Sequence, residues 1–287
     1  MLALFKREFR SYFQTMIGYL FIALVLAFVG VFLWVTNLAG GYANFEYTLS
    51  SVTILFLLLI PILTMRTLTE ERGKRTDQLL YALPLTSFQI LFGKFLALCA
   101  VFAIPCGVML TYPLLLSAFG DVNYASAYTG IFGFFLLGCA LLALALFVSS
   151  FTENQIVSAA LIFAVIFLLY LMDSLASIVP ATASTSLWCF ILLIPALSVV
   201  VYLLCRSYLV TGGIALVGEL ALIIAYCVKP AAFEGAMGAL MRWLSVFERF
   251  TPFTNGLFDI GNLVYLVTFT AFFLFLSTQS FEKRRWS

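Results

Sequence analysis

The chain has 287 residues, of which 64% are hydrophobic and 10% charged, with a formal net charge of +2 and a mean hydropathy of +1.12. A soluble domain carries about 25% charged residues, so there is too little charge here to wet a globular surface, and lipid must solvate much of the exterior. The near-neutral balance excludes the concentrated basic face that a nucleic-acid partner needs, and the absence of histidine removes Ser-His and Cys-His nucleophiles, HExxH zinc sites and haem ligation through His.

Residues 2–16 (LALFKREFRSYFQTM) place Leu2, Phe5, Phe9, Phe13 and Met16 at three- and four-residue spacing, with Lys6, Arg7, Arg10, Ser11 and Gln14 on the remaining face. That stripe predicts an interfacial helix lying along the membrane, its cations toward headgroups and cytosol. The alternative is a charged flank that only assists insertion.

A bilayer core of about 30 Å takes about 20 apolar residues per helix. Apolar runs predict spans near 17–37, 50–69, 89–118, 127–150, 156–179, 187–205, 211–228 and 261–280, an all-α integral membrane protein of eight helices. The first run is too long for a signal-peptide core and reads as a retained anchor. The third is overlong, and Pro105 and Pro113 within it predict a kink or a tilt. Arg206 follows the sixth run and Glu219 interrupts the seventh, which leaves open a re-entrant hairpin and six spans. An even count puts both termini on one side. That side receives all 15 Lys and Arg except Lys229, Arg242 and Arg249, which makes it the cytoplasm.

The connections carry the rest of the argument. Residues 66–94 (RTLTEERGKRTDQLLYALPLTSFQILFGK) are the only long, charge-rich cytoplasmic stretch, whereas a membrane hairpin needs just a few linking residues. Glu70, Glu71, Arg72, Lys74, Arg75 and Asp77 cluster where the second span ends; Leu79, Leu80, Ala82 and Leu83 then give a short helical turn, stopped by Pro84. Thr86-x-x-Gln89 predicts a capping box opening the third span. A short helix with apolar side chains and a charged rim suits a partner's groove; on spacing alone, a solvated connection whose leucines pack on the protein's own spans fits equally well. Thr152-x-x-Gln155 predicts a second capping box, at the start of the fifth span, and Glu153 suits a helix N-terminus. On the outer side, 233–250 is amphipathic and predicts either a gate or an interfacial cap over the bundle.

Glu219 and Asp173 are the ionisable groups at membrane depth, functional suspects by position, although a structural or interfacial role is the simpler reading. Cys99, Cys106, Cys139, Cys189, Cys205 and Cys227 lie in apolar runs without a CxxC pair and read as small buried hydrophobes. Gly133 to Gly138 (GFFLLG) lacks the Lys of a phosphate loop and reads as helix packing. No catalytic, cofactor-binding or metal-ligating residues are expected, so the chain reads as a non-enzyme.

Four stretches then resemble a known family: LFKREFRSYFQTMIGYLFIA (4–23), IPILTMRTLTEERGKRTDQLLYALPLTSFQILFGKFLA (60–97), LFVSSFTENQIVSAALIF (146–163) and FDIGNLVYLVTFTAFFLFLS (258–277). Together the chain resembles the permease subunits of ABC-2-type (type V) ATP-binding-cassette transporters, in the GldF-like and NosY-like branch. The resemblance implies that residues 1–16 are an elbow helix, that 70–86 hold a coupling helix docking on a separate cytoplasmic ATPase, and that 231–257 form an extracytoplasmic re-entrant segment. It implies a single permease domain over 1–287 with a six-helix core, pairing with a second copy or a paralogue. The stretch 187–230 then reads as an inserted hairpin, so no family role passes to Glu219. ATP and Mg would be bound only by the partner ATPase, whose cycle would drive alternating access for export from a prokaryotic inner membrane, with an extracytoplasmic auxiliary protein as a compatible further partner. The alternative function is a multipass anchor in an envelope or motility complex.

Overall fold

The computed structural model describes residues 2–73, 86–205 and 208–285, and all the regular structure described there is helical. In chain order it comprises α1 (Leu2–Gln14), α2 (Ile17–Ala39), α3 (Phe45–Gly73), α4 (Ser87–Leu116), α5 (Tyr124–Ser149), α6 (Gln155–Ile178), α7 (Ala183–Cys205), α8 (Tyr208–Val228), α9 (Ala236–Leu244), α10 (Thr251–Thr254) and α11 (Ile260–Arg285). Among the described residues six helices, α2 to α6 and α11, are long and apolar enough to cross a membrane. The chain divides into two compact units, one of Met1–Leu168 with Arg249–Ser287 and one of Leu169–Glu248.

The first unit is organised around α5. Its apolar side chains would be equally content in lipid, so close helix packing depends on small residues and shape. Gly138 and Gly133 supply this: a Cβ added at Gly138 would lie 2.1 Å from Phe102 Cε1, and one at Gly133 would lie 2.6 Å from Phe253 Cβ. Phe102 of α4 and Phe253 of α10 thus press onto bare backbone, as the helix-packing reading of GFFLLG expects. Phe56 of α3 stacks on Phe134 at 4.6 Å between ring centroids and meets Phe102 at 5.8 Å, so α3, α4 and α5 share one buried aromatic cluster. α11 packs along α5 more extensively than any other helix does.

Interruptions in the helices have local causes. α2 ends in a π-helical turn, Trp34–Ala39, from which the buried Asn37 donates to the carbonyls of Tyr42 (2.7 Å) and Asn44 (2.9 Å) and fixes the link to α3. α3 contains Pro61 and loosens into turns over residues 65–68 before its last stretch, Thr69–Gly73. Thr64 and Thr69 return their hydroxyls to the carbonyls of Ile60 and Met65, which keeps buried polar atoms satisfied. The capping box predicted at α4 is present: Thr86 Oγ1 accepts from the Gln89 amide and Gln89 Oε1 accepts from the Thr86 amide, both at 3.3 Å. Pro105 lies inside the overlong third span, which breaks after Met109 and restarts with Pro113 in its first turn.

The box predicted at α6 is corrected. Thr152 Oγ1 accepts no hydrogen bond among the described residues, and Asn154 Oδ1 takes the Ile156 amide at 2.9 Å instead. Asn154 directly precedes the helix, and its short amide reaches the free N–H without the longer Thr-x-x-Gln arc.

In the second unit α7 and α8 pair, with Ile194 against Gly218 (an added Cβ would be 3.3 Å from Ile194 Cδ1). From Leu216–Val228 into Pro230–Leu244 the chain turns by 118°. Phe233 closes that corner between Tyr226 and Phe190, at 5.6 and 6.3 Å. Gly235 holds φ +68, a conformation that side chains resist, and its amide donates to Ala181 O at 2.9 Å. The amphipathic stretch 233–250 therefore folds not as one helix but as the short α9 and a single tight turn at Glu248–Phe250. Of the cysteines, Cys99 and Cys106 are buried as expected, Cys139 and Cys189 are half-buried, Cys227 is exposed contrary to expectation, and the Cys205 side chain lies outside the described ones.

Candidate functional site

The charged residues predicted at the end of the second span sit where α3 leaves the bundle, beside α1 and the first turns of α4. Lys94, two turns into α4, has a side chain with no exposed surface. Its Nζ donates to Glu71 Oε1 at 2.7 Å and to the Thr67 carbonyl at 3.3 Å, and lies 3.3 Å from Glu8 Oε1. An ammonium enclosed in this way stays only because two carboxylates and a carbonyl replace its water. Arg7 tops the group, 2.6 Å from Glu8 and 3.4 Å from Glu71.

The face of α1 that packs on the protein is therefore Leu4, Glu8 and Tyr12, and not the Phe5, Phe9, Phe13 stripe, whose rings run along one another at 6.0 and 5.0 Å. The Tyr12 hydroxyl shares a 2.8 Å hydrogen bond with Thr67 Oγ1. Burial pushes its phenol pKa up, which keeps the group neutral. Arg66 pairs with Glu70 one turn along. A cavity of about 440 Å³ opens among these groups, between α1 and the end of α3.

Arg72 takes a different direction. It is buried, and its Nη1 donates to the Ser150 carbonyl, which terminates α5. A guanidinium there satisfies a carbonyl left without a helical partner and meets the negative end of the helix dipole. Ser150 Oγ in turn donates to Ser280 Oγ of α11 at 2.8 Å. The next residue, Gly73, brings its Cα beside the 150–154 turn, where an added Cβ would lie 3.5 Å from the Glu153 carbonyl.

Of the residues predicted from sequence, Glu70, Glu71 and Arg72 join this cluster. Lys74, Arg75, Asp77, Leu79 and Leu80 lie outside the described residues. Glu219, half-buried in the middle of α8, and Asp173, exposed on α6, are not brought together, and neither forms an ion pair among the described residues. Sequence reasoning missed Glu8, Tyr12 and Lys94 as members. A signal for Lys94 existed: a cation inside an apolar run demands an acidic partner, and few acids share its side of the membrane.

The segment after Gly73 is thus gripped on both flanks. Glu71 and Arg72 tie its entry to α1, α4, α5 and, through Ser150, to α11, while the Thr86 box fixes its exit at the start of α4. When the chain is compared with known families, the model of a family described as ABC-2 family transporter protein matches residues 35–279. No curated protein matches the chain.

Proposed function

Because the chain belongs to the ABC-2 family of transporter proteins, we propose that its charged cluster transmits the stroke of an ATPase to the membrane spans of an exporter. Membership makes the chain a multi-pass permease subunit that works in the bilayer with an ABC ATPase. The proposal adds that the ATPase docks on a coupling helix within 70–86, and that α1 is the elbow helix of a GldF-like or NosY-like permease. The chain then contributes no catalytic residue and no cofactor site of its own, ATP and Mg being bound by the partner.

The carrying observation is the pair of anchors Glu71–Lys94 and Arg72–Ser150. They make the entry to the 74–85 segment part of the bundle, so approach of two ATPase subunits on ATP binding becomes a movement of α3, α4 and α5. In this reading two permease copies, or a copy and a paralogue, form the translocator and alternate access between the two faces. The α7–α8 pair, of 23 and 21 residues, is an inserted hairpin that brings the crossings to eight and leaves both termini cytoplasmic.

The test is co-purification of the ATPase with the Leu79→Asp, Leu80→Asp double variant. Loss of the ATPase from a chain that still inserts is the expected result. Undiminished co-purification overturns the docking role, and undiminished binding together with no solute-stimulated hydrolysis in the wild type favours an anchoring complex.

A further inference from the structure

At the end of α3 away from the charged cluster lies a feature that coupling does not use. Glu46 stands in the first turn of α3, is 7% exposed, and its Oε2 makes no hydrogen bond among the described residues. The positive end of the helix offsets part of the cost of a carboxylate there. An enclosed carboxylate oxygen still carries a desolvation penalty unless something supplies it with a hydrogen.

Glu46 borders a cavity of about 270 Å³ whose other polar walls include Asn44, Ser50, Asn123, Ser126 and Asn255; no Lys, Arg or second acid among the described residues lines it. The walls are held in place. Asn123 Oδ1 accepts the Ser126 amide at 3.3 Å, Ser126 Oγ donates to the Thr254 carbonyl at 3.5 Å, and Asn37 fixes the chain at Asn44. Gly256, with φ +74, runs so close to Ser126 that an added Cβ would lie 2.9 Å from its Oγ. One negative charge among neutral amides and hydroxyls, without a cation, complements a group with positive charge and several N–H donors. The space is several times the roughly 30 Å³ of one water, larger than a bare ion requires.

Tyr47 forms a wall of this cavity and also of a neighbouring one of about 410 Å³, bordered by Val35, Thr36, Gly40 and Tyr42. The rings of Tyr42 and Tyr47 meet edge-on at 5.8 Å. A polar chamber with a carboxylate thus opens beside an aromatic and aliphatic one across a single side chain. We propose that this end of the bundle binds the primary ammonium head of an amphiphile, with the head on Glu46 and the apolar tail along Val35, Tyr42 and Tyr47. The proposal does not depend on the coupling reading.

The test is native mass spectrometry of the full chain in dodecyl maltoside with didecanoyl phosphatidylethanolamine, phosphatidylcholine or phosphatidylglycerol, and with dodecylamine. Ethanolamine lipid and dodecylamine should bind, and Glu46→Gln should weaken both at least tenfold while leaving phosphatidylglycerol unchanged. Choline lipid, whose head has no N–H, should bind wild type no better than it binds Glu46→Gln. Ser50→Phe, at an exposed position, fills the cavity, keeps the carboxylate and should reproduce the loss. Binding of dodecylamine but not of ethanolamine lipid, still dependent on Glu46, supports the site and assigns it to a soluble amine. Undiminished binding in both variants, no binding by either amine, or Glu46-dependent choline binding as tight as ethanolamine overturns the proposal.

Discussion

Replacing Lys94 with Met removes one charge and leaves a side chain of similar length in the same slot. In the wild type the ammonium is wholly enclosed and meets Glu71 at 2.7 Å and Glu8 at 3.3 Å. Removing one partner of a buried pair costs about 3–5 kcal/mol, mostly because the other charge is left behind. Here the abandoned carboxylates retain 19% and 14% side-chain exposure, and Arg7 still reaches both. The expected cost is therefore at or below the lower end of that range, about 2–3 kcal/mol. Glu71→Gln in the same background should recover part of it, because one of the two stranded carboxylates is gone. The assay is SDS-induced unfolding of the purified chain in mild detergent, followed by tryptophan fluorescence, for both single variants and the double. A Lys94→Met cost below about 0.5 kcal/mol, the level of an exposed pair, would refute the argument, and so would strict additivity of the two substitutions.

Arg72→Ala should cost about 1.5–3 kcal/mol, the range for a hydrogen bond to a charged group; in the assembled transporter it should lower transport per ATP more than ATP hydrolysis itself, measured in proteoliposomes, with Arg72→Lys in between. Gly138→Ala should destabilise the fold by about 1–3 kcal/mol as an overpacking change, because the new methyl meets Phe102, and Phe102→Leu in the same chain should relieve it. Gly30, with nothing within 4 Å of an added Cβ, is the control: Ala there should be neutral or stabilise by up to about 1 kcal/mol, read by the same SDS titration. A cysteine introduced at 208, 209 or 210 should react only with a reagent that reaches the cytoplasm, and labelling from outside would reject the α7–α8 crossings.

The spans were legible because hydropathy is summed over some 20 residues and tolerates local error: 127–150 and 156–179 become α5 and α6 with ends shifted by a few residues. The Thr86 box was equally legible, its partners being three residues apart. The Thr152 box failed because Asn154, two residues nearer the helix than Thr152, caps it instead through the Ile156 amide, which a pattern match does not weigh. The cluster was only half visible. Glu70, Glu71 and Arg72 are conspicuous as charges, but Arg7, Lys94 and Ser150 reach them from 64, 23 and 78 residues away, and no linear spacing encodes such contacts. Membrane depth pointed to Glu219 and Asp173, whereas among the described residues the buried carboxylate oxygen without a partner belongs to Glu46, hidden at a helix start where an acid looks ordinary.

The glycine-lined helix α5 has a consequence for how the protein is made. It is the most enclosed of the candidate spans. The helix that covers most of it, α11, is synthesised long afterwards, and Ser280 follows its partner Ser150 by 130 residues. During synthesis α5 must therefore rest in the bilayer with the flank that α11 later covers open to lipid, although Phe102 of the earlier α4 already fills its Gly138 notch. That flank is the last to close: a chain stalled before α11 leaves the Phe147 ring and the Ser150 hydroxyl without Phe273 and Ser280, which meet them in the finished protein at 5.6 and 2.8 Å.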